Sequence, residues 1–236
     1  VTEGKLNIAI IPAAGIGARM HADRAKQMLE LAGLPLLVHT LRRFEQCEDI
    51  NQVILVLQPN LTSEVLTLIK RAGLTKITRI VAGGAERQDS VYRGLQVVRA
   101  ETAGIIVVHD AVRPFIRPEE ISAVIKRAEN KGAALMALAA TDTIKQVRSA
   151  RVQRTLERRR IYHAQTPQAF QYSILLEAYE RAYAEGFMAT DDSQLVERTG
   201  HKVSVVEGSQ INIKITRPFD LRLAEVIHSE YFDSNE

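Results

Sequence analysis

The stretch Leu6-Asn7-Ile8-Ala9-Ile10-Ile11-Pro12, running on through Ala13-Ala14-Gly15-Ile16-Gly17-Ala18-Arg19-Met20 to Lys26-Gln27, decides how the chain is read. Its first seven residues form a short, nearly continuous apolar run closed by proline. That is the pattern of a strand buried on both faces of a parallel sheet. Similar runs recur at 53–57, 77–81, 105–108 and 133–138. Helical patterns lie over 35–47, 61–72, 88–99 and 118–131, the first with Leu37, Leu41 and Phe44 on one face. Pro118-Glu119-Glu120 suits a helix's first turn, since proline has no N–H to leave unpaired and acids suit the positive end. Strands alternating with helices predict βαβ units in an α/β protein, with a mostly parallel central sheet and helices on both faces. The apolar runs are too short for an all-helical protein.

The alternation breaks after residue 140. Thr141 to Ile161 is polar and holds six arginines, Arg148, Arg151, Arg154, Arg158, Arg159 and Arg160. It is too long for a routine connection. The segment reads as a hairpin-like arm leaving the sheet, with Ser149-Ala150 near its tip. An arm cannot build its own core, so packing on a second subunit is expected; a solvated insertion is the competing reading. Beyond it a helix is expected at 172–185, striped by Leu175, Leu176 and Tyr179, and another at 191–199 opened by Thr190-Asp191-Asp192. Strands at 202–206 and 211–215 precede a helix from about 217 to 231, with Thr216 as its cap and Pro218 in its first turn. No repeat or linker divides the chain, so residues 1–236 are expected to form one domain, including the arm at about 141–161.

Composition narrows the function classes. The chain has 236 residues, 46% hydrophobic and 25% charged, which is ordinary globular usage and long enough for a core without staples. Its single cysteine, Cys47, excludes a disulfide framework and argues against a cysteine zinc site. No apolar run approaches the length of a membrane span, and Val1-Thr2-Glu3-Gly4-Lys5 lacks a signal-peptide layout. A cytoplasmic setting with no membrane partner is expected. With 31 basic and 28 acidic side chains the net charge is +3, which argues against a general nucleic-acid binder.

The loop after the first strand is the strongest chemical signal. Small residues let backbone approach a ligand, and successive N–H groups in such a turn cradle phosphate oxygens. Arg19 and Lys26 add charge, one as a fork and one as a point charge. A dinucleotide fingerprint wants glycine at position 20, which is methionine, and a Walker A loop ends differently. Asp110, in Val108-His109-Asp110-Ala111-Val112-Arg113-Pro114, falls at the carboxyl end of a buried strand, where open α/β sheets bind ligands. A lone carboxylate beside a triphosphate site suits Mg²⁺; a helix cap or a pair with Arg113 is the bland alternative. His109 has no serine or cysteine partner and reads as structural. Gly83-Gly84-Ala85-Glu86-Arg87-Gln88-Asp89-Ser90 follows another strand and opens a helix, where a glycine pair admits a flat base and Ser90 can hydrogen-bond it. Lys214, in Asn212-Ile213-Lys214-Ile215-Thr216, sits between apolar neighbours, and a core-strand lysine is costly unless it meets an anion.

In this order these motifs, together with Asp142-Thr143, Gln165-Thr166-Pro167-Gln168 and Thr190-Asp191, resemble the 2-C-methyl-D-erythritol 4-phosphate cytidylyltransferases of the non-mevalonate isoprenoid pathway. The resemblance covers essentially the whole chain. It implies a Rossmann-like nucleotidyltransferase domain whose protruding β-arm embraces a partner's arm in a homodimer. It also implies joining of CTP to methylerythritol phosphate with release of pyrophosphate. Pro12, Ala13, Ala14, Gly15, Gly17, Arg19 and Lys26 would wrap the triphosphate, and Ala14, Gly83 and Ser90 would read cytosine. Asp110 would hold Mg²⁺ and touch the polyol phosphate. Arg113, Thr143, Arg158, Thr166, Thr190 and Lys214 would line the second-substrate site, with Thr143 and Arg158 supplied by the partner's arm.

Two positions depart from the family pattern: Ala85, where aspartate is frequent, and Val112, where alanine is. Which arginine of 158–160 meets phosphate is left open. The attacking group would be a phosphate monoester oxygen, ionised near neutrality because its second pKa is about 6. Catalysis then needs charge neutralisation by Arg19, Lys26, Lys214 and Mg²⁺ more than a base. A ribitol-5-phosphate cytidylyltransferase is the nearest competing enzyme. A sugar-1-phosphate nucleotidyltransferase fits the arm and length less well. A basic-arm nucleic-acid-binding module would leave Lys26, Asp110 and Lys214 without a joint role.

Overall fold

The computed structural model describes residues 4–15 and 24–232. Its first half contains β1 (Leu6–Ala13), β2 (Glu30–Leu31), β3 (Leu34–Pro35), α1 (Leu36–Gln46), β4 (Gln52–Leu57), α2 (Thr62–Arg71), β5 (Ile77–Ala82), α3 (Arg87–Gln96) and β6 (Ala103–Val108). The second half contains α4 (Pro118–Lys131), β7 (Ala133–Ala139), β8 (Lys145–Arg148), β9 (Arg151–Thr155), β10 (Tyr162–Gln171), α5 (Tyr172–Ala184), α6 (Asp192–Arg198), β11 (Ser204–Glu207) and α7 (Pro218–Tyr231). Seven strands make one sheet in the order β11-β7-β10-β6-β1-β4-β5. All pairings are parallel except those of β10, which runs antiparallel to both β6 and β7.

Alternation along β1 divides the core into two faces. Ala9, Ile11 and Ala13 point to one side, with Leu37, Leu41 and Phe44 of α1 and Ile121, Val124 and Ile125 of α4. Ile8 and Ile10 point to the other, with Val91 and Leu95 of α3 and Leu175 and Tyr179 of α5. A smaller cluster packs Ala224 and Ile227 of α7 on Leu31, Leu36, Val112, Phe115 and Ile215. This is the expected α/β arrangement with helices on both faces. No helix among the described residues is long and apolar enough to cross a membrane.

Three differences from the sequence reading have physical causes. The strand β10 occupies residues where the sequence pattern indicates no strand. Its buried residues include Gln165, Thr166 and Gln168, satisfied by hydrogen bonds, so the strand carries little apolar signal. The expected strand at 211–215 is instead a turn and irregular backbone outside the sheet, with Ile213 N–H donating to Ile211 O at 2.7 Å and Ile215 N–H to Val112 O at 3.0 Å. Thr216 does not cap α7; instead the Asp220 carboxylate accepts from Thr216 N, Thr216 Oγ1 and Arg217 N at 2.8–3.0 Å. Proline at the first helical position is seen in α4 and α7, and Asp191 caps α6 by accepting from Gln194 N at 3.0 Å.

The arm prolongs the β7–β10 hairpin. Past the pair Ala139–Tyr162, Ala140 N–H reaches Ile161 O and Leu156 N–H reaches Ile144 O, both at 2.9 Å. Then β8 and β9 pair only with each other, as far as Arg148 opposite Arg151. The two-residue tip, Ser149-Ala150, has φ of 50° and 61°, the positive values of a hairpin turn whose twist matches the strands.

Candidate active site

The chain builds β4 and β5 on one side of β1 and then crosses to lay β6 on the other. Connections leaving β1 and β6 therefore diverge at their carboxyl ends, where open α/β sheets bind ligands. A cleft of about 360 Å³ opens there. Pro12, Ala13, Ala14 and Gly15 form one wall with Lys26, whose stem lies beside Gly15. Two side-chain amides fix this backbone: Gln27 donates to Ala13 O at 2.6 Å and Gln58 to Ala14 O at 2.8 Å. The opposite wall is the turn from β5 into α3. A Cβ at Gly83 would overlap the Ala14 methyl, so glycine there lets the two loops touch. Ser90 lines the cleft, donating to Glu86 O and accepting from Gly84 N, both at 3.1 Å.

Asp110 is the electrostatic centre. It is buried, and three cations converge on it: Lys214 Nζ at 2.8 Å, Arg87 Nε at 3.1 Å and Arg113 Nε at 3.5 Å. Burial pushes its carboxyl up, but Arg87, Lys214 and Arg113 together hold it well below the usual carboxylate range. Its backbone N–H donates to Thr166 Oγ1 at 3.1 Å, tying β6 to β10. Arg113 also donates to Asn212 O at 2.7 Å, and Asn212 Nδ2 donates to Thr166 O at 2.9 Å. This anchors the segment that delivers Lys214, which is a partly exposed wall residue and not a core-strand lysine. His109 is fully buried against Phe44, and burial lowers its pKa to about 4, so its ring is neutral and serves packing.

Most residues singled out in the sequence meet here. Pro12, Ala13, Ala14, Gly15, Lys26, Ser90, Asp110 and Lys214 line the cleft, as do Ala85 and Val112. Gly83 lies beneath it, and Arg113 and Thr166 contact Asp110 from behind. Thr190 borders a small depression that shares Arg87 with the cleft. Thr143 and Arg158 lie in the arm and do not line their own chain's cleft. Gly17 and Arg19 fall outside the described residues. Sequence reasoning gave no role to Arg87, which binds Asp110 and, at 2.8 Å, Asp192. One signal was available: Arg87 is the first residue of α3, where the helix dipole disfavours a cation unless an anion faces it.

A glycine-bearing loop at the switch point of a Rossmann-like sheet, facing a carboxylate ringed by cations, suits the binding and transfer of a nucleotide's phosphates, and comparison with known proteins places the chain among nucleotidyltransferases. The family model described as IspD, 2-C-methyl-D-erythritol 4-phosphate cytidylyltransferase, matches residues 7–230. A protein of that name from Syntrophus aciditrophicus is 48% identical over 220 residues, covering 92% of this chain and 94% of its own. One from Pelotomaculum thermopropionicum is 45% identical, covering 93% and 92%. The crystal structure of 4-diphosphocytidyl-2C-methyl-D-erythritol synthase from Anaerococcus prevotii superposes with a TM-score of 0.85 at 31% identity, covering 96% of this chain and all of that one. The chain belongs to the 2-C-methyl-D-erythritol 4-phosphate cytidylyltransferase family.

Proposed function

We infer that this enzyme transfers the cytidylyl group of CTP to 2-C-methyl-D-erythritol 4-phosphate, giving 4-diphosphocytidyl-2-C-methyl-D-erythritol and pyrophosphate. The observation that carries the residue assignment is the convergence of Lys214, Arg87 and Arg113 on Asp110, in the same cleft as Lys26 and the glycine-bearing loop. A phosphate oxygen of the polyol attacks the α-phosphorus of CTP. A new P–O bond forms while the bond to the β-phosphate bridge breaks, and pyrophosphate leaves with the electron pair. The nucleophile is already ionised, so the protein's task is to bring two anions together and steady the leaving group. In this reading Arg19, assigned from its sequence motif alone, and Lys26 would neutralise the triphosphate, Ala14, Gly83 and Ser90 would hold the base, and Lys214, Arg113, Thr166 and Thr190 would bind the polyol phosphate.

Mg²⁺ fits the donor set when carried in by the nucleotide. Asp110 offers a carboxylate on the cleft wall, and no cluster of three or more His, Cys, Asp or Glu gathers among the described residues. The remaining oxygens would come from the triphosphate and water, the usual manner for this ion. Bound there, it supplies charge neutralisation at the reacting phosphates.

The arm supports a homodimer. A two-stranded hairpin is marginal on its own, and Val147 and Val152, paired across β8 and β9, are 55% and 60% exposed. Partner arms covering these valines would bring Thr143 and Arg158 to the neighbouring cleft. Within the arginine trio, Glu157 pairs with Arg159 and, at 2.9 Å, with Arg160. Arg158 has no carboxylate partner among the described residues and donates to Thr141 O at 2.6 Å, which leaves it the member suited to a phosphate. A lone, buried, unpaired Cys47 suits a reducing cytoplasm.

The test is pyrophosphate release with each of the four nucleoside triphosphates and either methylerythritol phosphate or ribitol 5-phosphate. Turnover is expected with CTP, Mg²⁺ and methylerythritol phosphate. Equal turnover of ribitol 5-phosphate, or a preference for ATP, would overturn the assignment.

A further inference from the structure

From the cleft wall beside Asp110 a chain of polar contacts runs into the core, and the reaction as described does not use it. Arg87 Nε lies 3.1 Å from Asp110 Oδ1, and its Nη2 lies 2.8 Å from Asp192 Oδ2. Asp192 is fully buried at the start of α6 and accepts from Tyr179 OH at 2.5 Å. Tyr179 is also fully buried, and its ring stacks on Tyr92 of α3 at 5.6 Å with 2° between planes. We propose that Arg87 is a positioning residue in the cleft wall that fixes Asp110 by bridging it to Asp192, so that Oδ2 alone is presented to Lys214. The proposal deepens the functional reading above and rests on it.

Geometry and charge support this. A guanidinium is a planar fork able to serve two carboxylates at once, which an ammonium does poorly. Asp192 cannot move, being held by Tyr179 in the core, so Arg87 inherits a fixed direction. Arg87 borders both the main cleft and the depression beside Thr190. It therefore sets the Asp110 wall against the Thr190 loop. Without it, Asp110 has only Lys214 and Arg113 to turn towards. Lys214, already 2.8 Å from Oδ2, would then share the whole carboxylate charge with Arg113 alone and be held more tightly against release to an incoming phosphate.

The experiment compares Arg87→Gln, Arg87→Lys, Asp192→Asn and the double variant Arg87→Gln/Asp192→Asn with the parent. It reads kcat, both KM values, calorimetric CTP affinity and the unfolding midpoint. Arg87→Gln is expected to lower kcat at least tenfold and raise KM for the polyol phosphate, with CTP affinity within threefold of the parent. Lysine should recover less than a third of kcat. Asp192→Asn should act in the same direction, and the double variant should be no worse than Arg87→Gln, because both changes break one link. The double variant leaves no buried carboxylate without its cation, so it carries the test where Arg87→Gln does not fold. Folded variants with kcat and both KM values within twofold of the parent, whatever their unfolding midpoint, would overturn the proposal. So would a CTP affinity lost more than tenfold, which would place Arg87 on the nucleotide. A parent inactive with CTP and methylerythritol phosphate would instead overturn the functional reading, a separately visible failure.

Discussion

The cleft wall and the arm make their contacts in opposite ways. Around Asp110 the contacts are made within the chain: three cations, a threonine hydroxyl and an asparagine fix one another across β6, β10 and the segment before α7. In the arm, β8 and β9 are exposed along their whole length and pair only with each other. One region is a finished electrostatic structure. The other has a register and a turn but no core, and its apolar side chains face outward. A region that satisfies itself can prepare a site, whereas a region that does not is built to meet something else.

Lys26→Ala should have the largest effect on this contrast. Removing one well-placed electrostatic contact costs about 2.7–4 kcal/mol of transition-state stabilisation, or roughly 10²–10³ in kcat. Single-turnover rates are the check, and a rate within twofold of the parent would remove Lys26 from the chemistry. In the arm, Val147→Asp with Val152→Asp should leave the secondary structure intact while separating the subunits, with activity falling as dimer is lost. Sedimentation and rate, measured on the same samples, decide it; full activity from a monomer would make the arm dispensable.

Smaller changes sharpen the comparison at single backbone positions. Gly83→Ala puts a methyl where Ala14 sits, so about 1–3 kcal/mol of overpacking is expected, read as weaker CTP binding. Ala150→Gly at the arm tip acts the other way. Its φ of 61° favours glycine, so the hairpin should gain about 1 kcal/mol or less with kcat unchanged. Calorimetry on both variants tests whether the cleft resists small changes that the tip accepts.

What the sequence disclosed follows from what each element is made of. The parallel strands β1, β4 and β6 are buried by apolar side chains and stand out as runs. The arm and its Ser149-Ala150 tip are legible because their polarity interrupts the alternation. By contrast, β10 is buried through Gln165, Thr166 and Gln168, whose hydrogen bonds replace hydrophobicity and hide the strand from periodicity. The same holds at the site. Lys26, Asp110 and Lys214 show as charges beside small or apolar neighbours, while the Arg87–Asp192 link joins residues 105 positions apart and needs the fold to be seen. Glu157's hold on Arg159 and Arg160 separates Arg158 from its neighbours in a way three consecutive arginines cannot.

The division of labour between the two regions is tested most directly by mixing two inactive proteins, Lys26→Ala and Arg158→Ala, and allowing subunits to exchange. If Lys26 serves its own chain's cleft and Arg158 the partner's, a mixed dimer has one site with both defects and one with neither. Activity should return to as much as half the parent's per mixed dimer. A confirmed mixed dimer as inactive as the two variants alone would show that each cleft uses its own Arg158 and would contradict the shared site.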